Sequence, residues 1–256
     1  MHPIAFQLGP LTVHWYGVML AVAFIAGLWT AARRAPREGI ASEKISDVGL
    51  WLIVGAVIGA RALYVATYWR EDFAGRPIWE IFMVQHGGLV FYGGLIGASL
   101  ACILYARRQK LNLWRVADIL TPSIPLGYVF GRIGCLLNGC CYGRACDLPW
   151  AIRFPPEHPT GGGPVHPTQI YDSLLNLIFY AALALLFRRK RFDGQVFATY
   201  LMGYALLRSA VETFRGDYSR AHLHGGLTPA HLVSIGIFAA GAVLFWLLPR
   251  RETGKK

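Results

Sequence analysis

Seven apolar stretches, at 13–33, 48–68, 88–106, 116–136, 168–187, 194–213 and 229–248, recur along the chain. Each is close to the ~20 residues that a helix needs to cross the hydrocarbon of a bilayer. A water-soluble domain could not bury so many all-round apolar helices. The hydrophobic share of 55% also exceeds the roughly 45–50% of ordinary soluble domains. The expected fold is an all-α polytopic membrane protein of about seven transmembrane helices.

The net charge of +11 admits two explanations, nucleic-acid binding or cytoplasmic membrane loops, and the positions of the charges decide between them. Arg33, Arg34, Arg37 and Lys44 follow the first span, and Arg107, Arg108, Lys110 and Arg115 the third. Arg188, Arg189, Lys190 and Arg191 follow the fifth, and Arg250, Arg251, Lys255 and Lys256 the last. Sixteen of the 25 basic residues thus share one side, which the positive-inside rule makes the cytoplasm. The N-terminus is then periplasmic, the C-terminus cytoplasmic, and no nucleic-acid partner is expected. Trp15, Tyr16, Tyr64, Tyr68, Trp69, Trp79 and Trp150 fall at the outer ends of spans or in outer loops, as interfacial aromatic belts do.

Residues 1–12 read as a short extended or interfacial segment, since Pro3, Gly9 and Pro10 break helix. No basic stretch precedes the first apolar run, so that run is expected to remain as an anchor. The longest outer connection, 137–167, is rich in glycine and proline and carries Gly161–Gly163. Loops of this length are functional or mobile. One catalytic membrane domain over 1–256, with 137–167 as its periplasmic segment, is the expected organisation. Phosphate-loop and dinucleotide motifs are absent from the sequence, as is any repeat of the first half in the second. That disfavours an inverted-repeat transporter.

Nine basic residues depart from the cytoplasmic pattern. Arg70, Arg76, Arg144, Arg153, Arg215 and Arg220 lie in outer loops, and Arg61, Arg132 and Arg208 within spans or at their outer ends. A charge at the helix centre costs about 2.5 kcal/mol or more, so an intramembrane arginine is a functional candidate by default. A carboxylate partner would explain any one of the three. Three near the outer face point to one anionic site.

Five motifs face outward in this topology: HWYG at 14–17, HGGLVFYGGLIG at 86–97, GRIGCLLNGCCYG at 131–143, HPTQIYD at 166–172 and GYALLRSAVETFRGD at 203–217. Paired glycines in the second let a ligand or a neighbouring helix approach closely, with helix packing the commoner cause. Tyr204, Arg208, Glu212 and Arg215 recur at intervals of four, four and three, which places them on one helical face. Pairing of Arg208 with Glu212 alone would also explain that spacing.

Taken in order, these motifs resemble the prolipoprotein diacylglyceryl transferase family over nearly the whole chain. The resemblance implies an inner-membrane transferase of lipoprotein biosynthesis. Such an enzyme moves the diacylglyceryl group of phosphatidylglycerol onto the thiol of the lipobox cysteine in a prolipoprotein signal peptide, forming a thioether and releasing glycerol 1-phosphate. It implies no cofactor and no metal. A displacement of this kind needs a thiolate and positive charge on the departing phosphate. Arginine suits the second task because its planar fork matches phosphate oxygens. The candidate catalytic residues are Arg132, Arg208, Tyr92 and Tyr16. The candidate substrate contacts are His14, Arg61, Asn138, Gly143, His166, Gln169, Tyr204 and Glu212.

Two departures from the family pattern bear on mechanism. Cys135 and Cys140 stand where the family motif has asparagine and glutamate, and Tyr92 stands where a histidine often follows the phenylalanine. The base is accordingly Tyr92, His14, His86 or His166, or none at all if a positive site acidifies the substrate thiol; the last is the preferred expectation. Cys135, Cys140, Cys141 and Cys146 crowd one boundary on the oxidising side, where disulfides, thiols and a metal site all remain open. The cysteines also leave a membrane thiol-disulfide oxidoreductase as a rival function, and the arginines leave an anionic-solute transporter.

Overall fold

A computed structural model of the chain describes residues 3–9, 11–216 and 228–253. Asp217, Arg220, Lys255 and Lys256 lie outside the described residues, as do the side chains of His86, Arg250 and Arg251. Helices dominate, in the order α1 (Trp15–Arg34), α2 (Ser42–Thr67), α3 (Phe91–Arg108), α4 (Leu113–Leu120), α5 (Ser123–Asn138), α6 (Thr168–Arg189), α7 (Gln195–Glu212) and α8 (Pro229–Thr253). Five segments are long and apolar enough to cross a membrane: Trp15–Glu38, Ser42–Thr67, Leu113–Asn138, Thr168–Arg189 and Pro229–Pro249. The other two expected spans coincide with α3 and α7, each a helix of 18 residues.

The expected all-α membrane architecture is matched by a mostly helical chain, to which short strands are added. β1 (Ile4–Leu8) pairs antiparallel with β2 (Leu11–His14) in the segment expected to be extended, and β3 (Ile152–Arg153) pairs antiparallel with β4 (Pro164–Val165). The fourth apolar run also divides at Thr121–Pro122 into α4 and α5. Pro122 lacks the amide proton that would continue the helical ladder, so the break falls there.

The chain forms two compact units, Ala32–Val116 and a second built from Met1–Ala31 with Ala117–Lys256. In the first, α2 packs on α3 through glycines of both helices. A Cβ at Gly55 would stand 2.5 Å from Ala101 Cβ and 2.6 Å from the Gly97 carbonyl, and one at Gly59 would collide with the Gly93 carbonyl. Side chains are excluded from this seam because the backbones touch, so helix packing accounts for the glycine pairs after Val90. Tyr105 donates to Asp47 at 2.9 Å across the same pair of helices.

In the other unit α5, α6, α7 and α8 pack in succession. Ser123 at the start of α5 donates to the Gly27 carbonyl of α1 at 2.6 Å and lies 3.2 Å from the Thr30 hydroxyl. Asp118, fully buried, accepts from the Gly194 and Phe197 amides at 2.8 and 3.1 Å and from Lys190 Nζ at 2.9 Å. It thereby satisfies open amides at the start of α7. One lysine of the basic run 188–191 is therefore turned inward to hold two helices together.

Candidate active site

Arg132 lies just past the middle of α5 and is buried. Its Nε is 2.7 Å from Asp172 Oδ2 on α6, an ion pair whose angle leaves Nε without a hydrogen bond. Its Nη2 donates to the Tyr128 hydroxyl at 3.2 Å, and the guanidinium stands 4.9 Å from the centre of the Tyr128 ring. Burial of a lone guanidinium is prohibitive, so a carboxylate, a phenol and an aromatic face stand in for the lost water. Asn176, one turn further along α6, donates to Asp172 Oδ1 at 2.9 Å and fixes its orientation. Ser173 donates to the Val129 carbonyl at 2.9 Å and holds α6 against α5 at this level.

Asp172 also interacts with Arg208 and Arg215. Arg208 on α7 donates to the buried Glu212, whose other oxygen accepts from Thr228 at 3.3 Å. Thr228 in turn lies 2.8 Å from His231 Nδ1. Tyr204, one turn before Arg208, interacts with Arg208, Arg132 and Asp172. Three guanidiniums and two carboxylates thus share one region. Arg132 is paired with Asp172 and Arg208 with Glu212, as an ion-pair explanation of each arginine requires.

The motifs around this cluster are joined through their backbones. Gly143 donates to the His166 carbonyl at 3.0 Å, and His166 donates to the Arg144 carbonyl at 2.9 Å. Arg144 donates to the Phe214 carbonyl at 2.9 Å, and Gly216 to the Tyr142 carbonyl at 3.2 Å. A Cβ at Gly143 would lie 2.5 Å from His166 Cβ, so only glycine fits the crossing. His166 packs on Phe214 at 5.4 Å and lies 3.3 Å from the Tyr171 hydroxyl. Tyr171, Leu174, Leu175, Ala210, Val211 and Phe214 line an apolar groove of about 320 Å³ between α6 and α7.

Tyr16, at the start of α1, reaches the same helix as Arg132. Its ring lies 3.2 Å from where a Gly134 Cβ would stand, and it interacts with Arg132 and with Cys135, Cys140 and Cys141. Asn138 closes α5 and bonds Cys140. Gly139 follows in the left-handed region at φ 78°, the usual device for ending a helix. Gln169, fully buried, donates from Nε2 to the Cys140 carbonyl at 2.7 Å, and Thr168 donates to the Cys141 carbonyl at 2.7 Å. Burial pushes the Cys140 thiol up from its ordinary pKa. No disulfide joins the described cysteines.

Of the candidate residues, the structure brings together Arg132, Arg208, Tyr204, Glu212 and Tyr16, with Gly143, His166 and Gln169 shaping the loops beside them. Asn138 is exposed, and so is His14, which ends β2 opposite Ile4. Tyr92 and Arg61 belong to the other compact unit. Tyr92 is 68% exposed and packs edge-on against Phe91. Arg61 is buried with its guanidinium committed to backbone carbonyls: Ile81 at 2.7 Å, Gly87 at 2.8 Å and Glu80 at 2.6 Å. That geometry closes the 80–88 loop onto α2.

Sequence reasoning missed Asp172, the carboxylate between the arginines. A signal was available: the interval from Gln169 places it on the buried face of α6 one turn before Asn176. It also missed His158, which stacks on Phe154 at 4.3 Å and lies 2.6 Å from the Gly139 carbonyl, holding the 137–167 loop to the end of α5.

A multi-helix membrane protein with arginines gathered around a buried carboxylate, an apolar groove beside them and a thiol-lined loop is the class that this geometry defines. Its sequence matches the profile of the prolipoprotein diacylglyceryl transferase family over residues 3–247, and the chain belongs to that family. The phosphatidylglycerol–prolipoprotein diacylglyceryl transferase of Aeromonas salmonicida is 37% identical, aligned over 97% of this chain and 90% of its own length. That of Geobacter sulfurreducens is 37% identical over 98% and 97%, and that of Nitratidesulfovibrio vulgaris 38% identical over 98% and 94%.

Proposed function

We propose that this chain transfers the diacylglyceryl group of phosphatidylglycerol to the lipobox cysteine thiol of a prolipoprotein, forming a thioether and releasing glycerol 1-phosphate. The observation that carries the reading is the gathering of three guanidiniums, those of Arg132, Arg208 and Arg215, around Asp172. The thiolate sulfur attacks the glycerol carbon that bears the phosphate ester; the C–S bond forms as the C–O bond breaks. The electron pair of that bond goes to the phosphate oxygen. Arg132 and Arg208 stabilise the charge gathering there, and they do so best where water is excluded. The same positive field favours the thiolate form of the incoming cysteine, so no strong base is required.

The apolar groove one turn from Asp172 and Glu212 offers an acyl chain a surface beside the arginines. Both substrates partition into the bilayer, so entry is lateral, from the outer leaflet. This reading places the chain in a bacterial inner membrane as one catalytic domain with seven spans, α3 and α7 included, the N-terminus periplasmic and 137–167 on the periplasmic side. Tyr16, Tyr204, Asn138, Gly143, His166 and Gln169 shape the substrate cavity in this reading, with His14 a further contact.

The test is turnover by the purified protein given phosphatidylglycerol and a synthetic lipobox peptide, followed by mass spectrometry of the peptide. A diacylglyceryl-modified thiol in equimolar yield with glycerol 1-phosphate is the expected result, lost in Arg132→Ala and Arg208→Ala. An unmodified peptide, under conditions where a relative such as the Geobacter enzyme works, overturns the reading.

A further inference from the structure

The three cysteines at the end of α5 are not used by the transfer chemistry, and their arrangement is more than crowding. The sulfur atoms of Cys135, Cys140 and Cys141 all lie within 4.8 Å of one another. In sequence their spacing lacks the usual two-residue interval of zinc motifs, but the fold supplies what the spacing does not. Gly139 reverses the chain after α5, the Cys140 amide returns to the Cys135 carbonyl at 3.0 Å, and Cys141 adopts φ 62°, a left-handed conformation rare for a side-chain-bearing residue. The carbonyls of Cys140 and Cys141 are each held by the buried Gln169 and Thr168 of α6. The loop is therefore fixed with its thiols gathered on one side. Among the described residues, Gln169 Oε1 is the one buried side-chain oxygen without a hydrogen-bond partner.

We propose that Cys135, Cys140 and Cys141 form a three-thiolate site for a thiophilic cation, with Zn²⁺ as its ligand. Zinc bound by thiolates at ~2.3 Å in tetrahedral geometry sets its sulfurs about 3.8 Å apart. The observed cluster, within 4.8 Å, needs only ~1 Å of closure to reach that spacing, which side-chain rotation provides. Binding releases three protons, one from each thiol, and leaves the zinc cluster with a single negative charge. Arg132 already interacts with Cys135 and Cys141 and offsets that charge. Copper(I) would leave two negative charges there, which favours zinc. Three protein ligands leave the fourth tetrahedral position for water or another thiol. Cys146 is outside the trio and Cys102 belongs to the other compact unit. The site stands whether or not lipid transfer is the chain's activity.

The experiment is metal analysis of the full chain in detergent, purified with reductant, stripped with chelator and dialysed against limiting Zn²⁺. Parallel titration with Co²⁺ reads thiolate coordination through its charge-transfer absorption. One zinc per chain is expected, with affinity reduced roughly tenfold or more in Cys140→Ser and in Cys141→Ser and unchanged in Cys146→Ser and Cys102→Ser. Should the serine variants fail to fold, the wild-type protein still decides: bound zinc must slow alkylation of Cys140 and Cys141 without slowing that of Cys146. No zinc retained, retention insensitive to the trio, or a disulfide among the three in peptide maps of the unreduced protein each overturns the proposal.

Discussion

Arg132 Nε and Asp172 Oδ2 meet at 2.7 Å between α5 and α6, joining the third and fourth motifs through a buried ion pair. The pair explains how a guanidinium is tolerated among apolar side chains, and it fixes the cation where a phosphate would arrive. Removing one partner strands the other. Asp172→Ala is expected to destabilise the protein by about 3 kcal/mol, read as a lower thermal midpoint in detergent. Turnover is expected to fall by about 10- to 100-fold as Arg132 loses its position. An unchanged midpoint would show that the pair is solvated.

Glu212 does for Arg208 what Asp172 does for Arg132, and it is in turn held by Thr228. Glu212→Gln keeps a hydrogen-bond acceptor and removes the charge. We expect kcat to fall about tenfold, roughly 1.4 kcal/mol of transition-state stabilisation, while KM for phosphatidylglycerol moves much less. Steady-state kinetics with varied lipid separates the two constants; a pure KM effect would make Glu212 a ground-state contact.

The glycines of the third motif differ in what they do. A Cβ at Gly143 meets His166 at 2.5 Å and the Phe214 carbonyl at 2.9 Å, whereas one at Gly131 meets nothing within 4 Å. Gly143→Ala should force the backbone crossing apart, costing roughly 1–3 kcal/mol and abolishing turnover. Gly131→Ala should be active. Side-by-side assays of the two variants check this, and equal tolerance would contradict the crossing.

Tyr92 is exposed, and among the described residues no hydrogen bond holds its phenol. Tyr92→Phe is expected to retain turnover within about twofold of the parent, a difference below 0.5 kcal/mol; loss of activity in a single-turnover assay would return the proton-abstracting role to this residue.

The membrane character and the helices were legible because apolar runs of span length have few other uses, and each of the seven runs became a helix or a pair of helices. The extended N-terminal segment was legible from its helix breakers, but the pairing of β1 with β2 was not, because strands of five and four residues are too short to announce a partner. Arg132 and Arg208 stood out as charges in apolar surroundings. Asp172 did not, because a carboxylate one turn from a span boundary reads as interfacial until α5 is placed beside it. The cysteine trio was hidden by the same limit: linear spacing does not show that Gly139 turns the chain back on Cys135. Arg61 shows the converse, a residue conspicuous in sequence whose donors are taken up by the carbonyls of residues 80, 81 and 87.

The crossing of residues 142–144 with 166 and with 214–216 also bears on the order of assembly. Helices enter a membrane in the order of synthesis, and long-range pairings form only after both strands exist. Tyr142 and Arg144 find their partners at Gly216 and Phe214, so the region around Arg132 stays incomplete until α7 has been laid down. A nascent chain halted anywhere before that point carries Arg132 without the segment that pairs with residues 142–144, which makes the last quarter of the polypeptide the step at which this protein becomes competent.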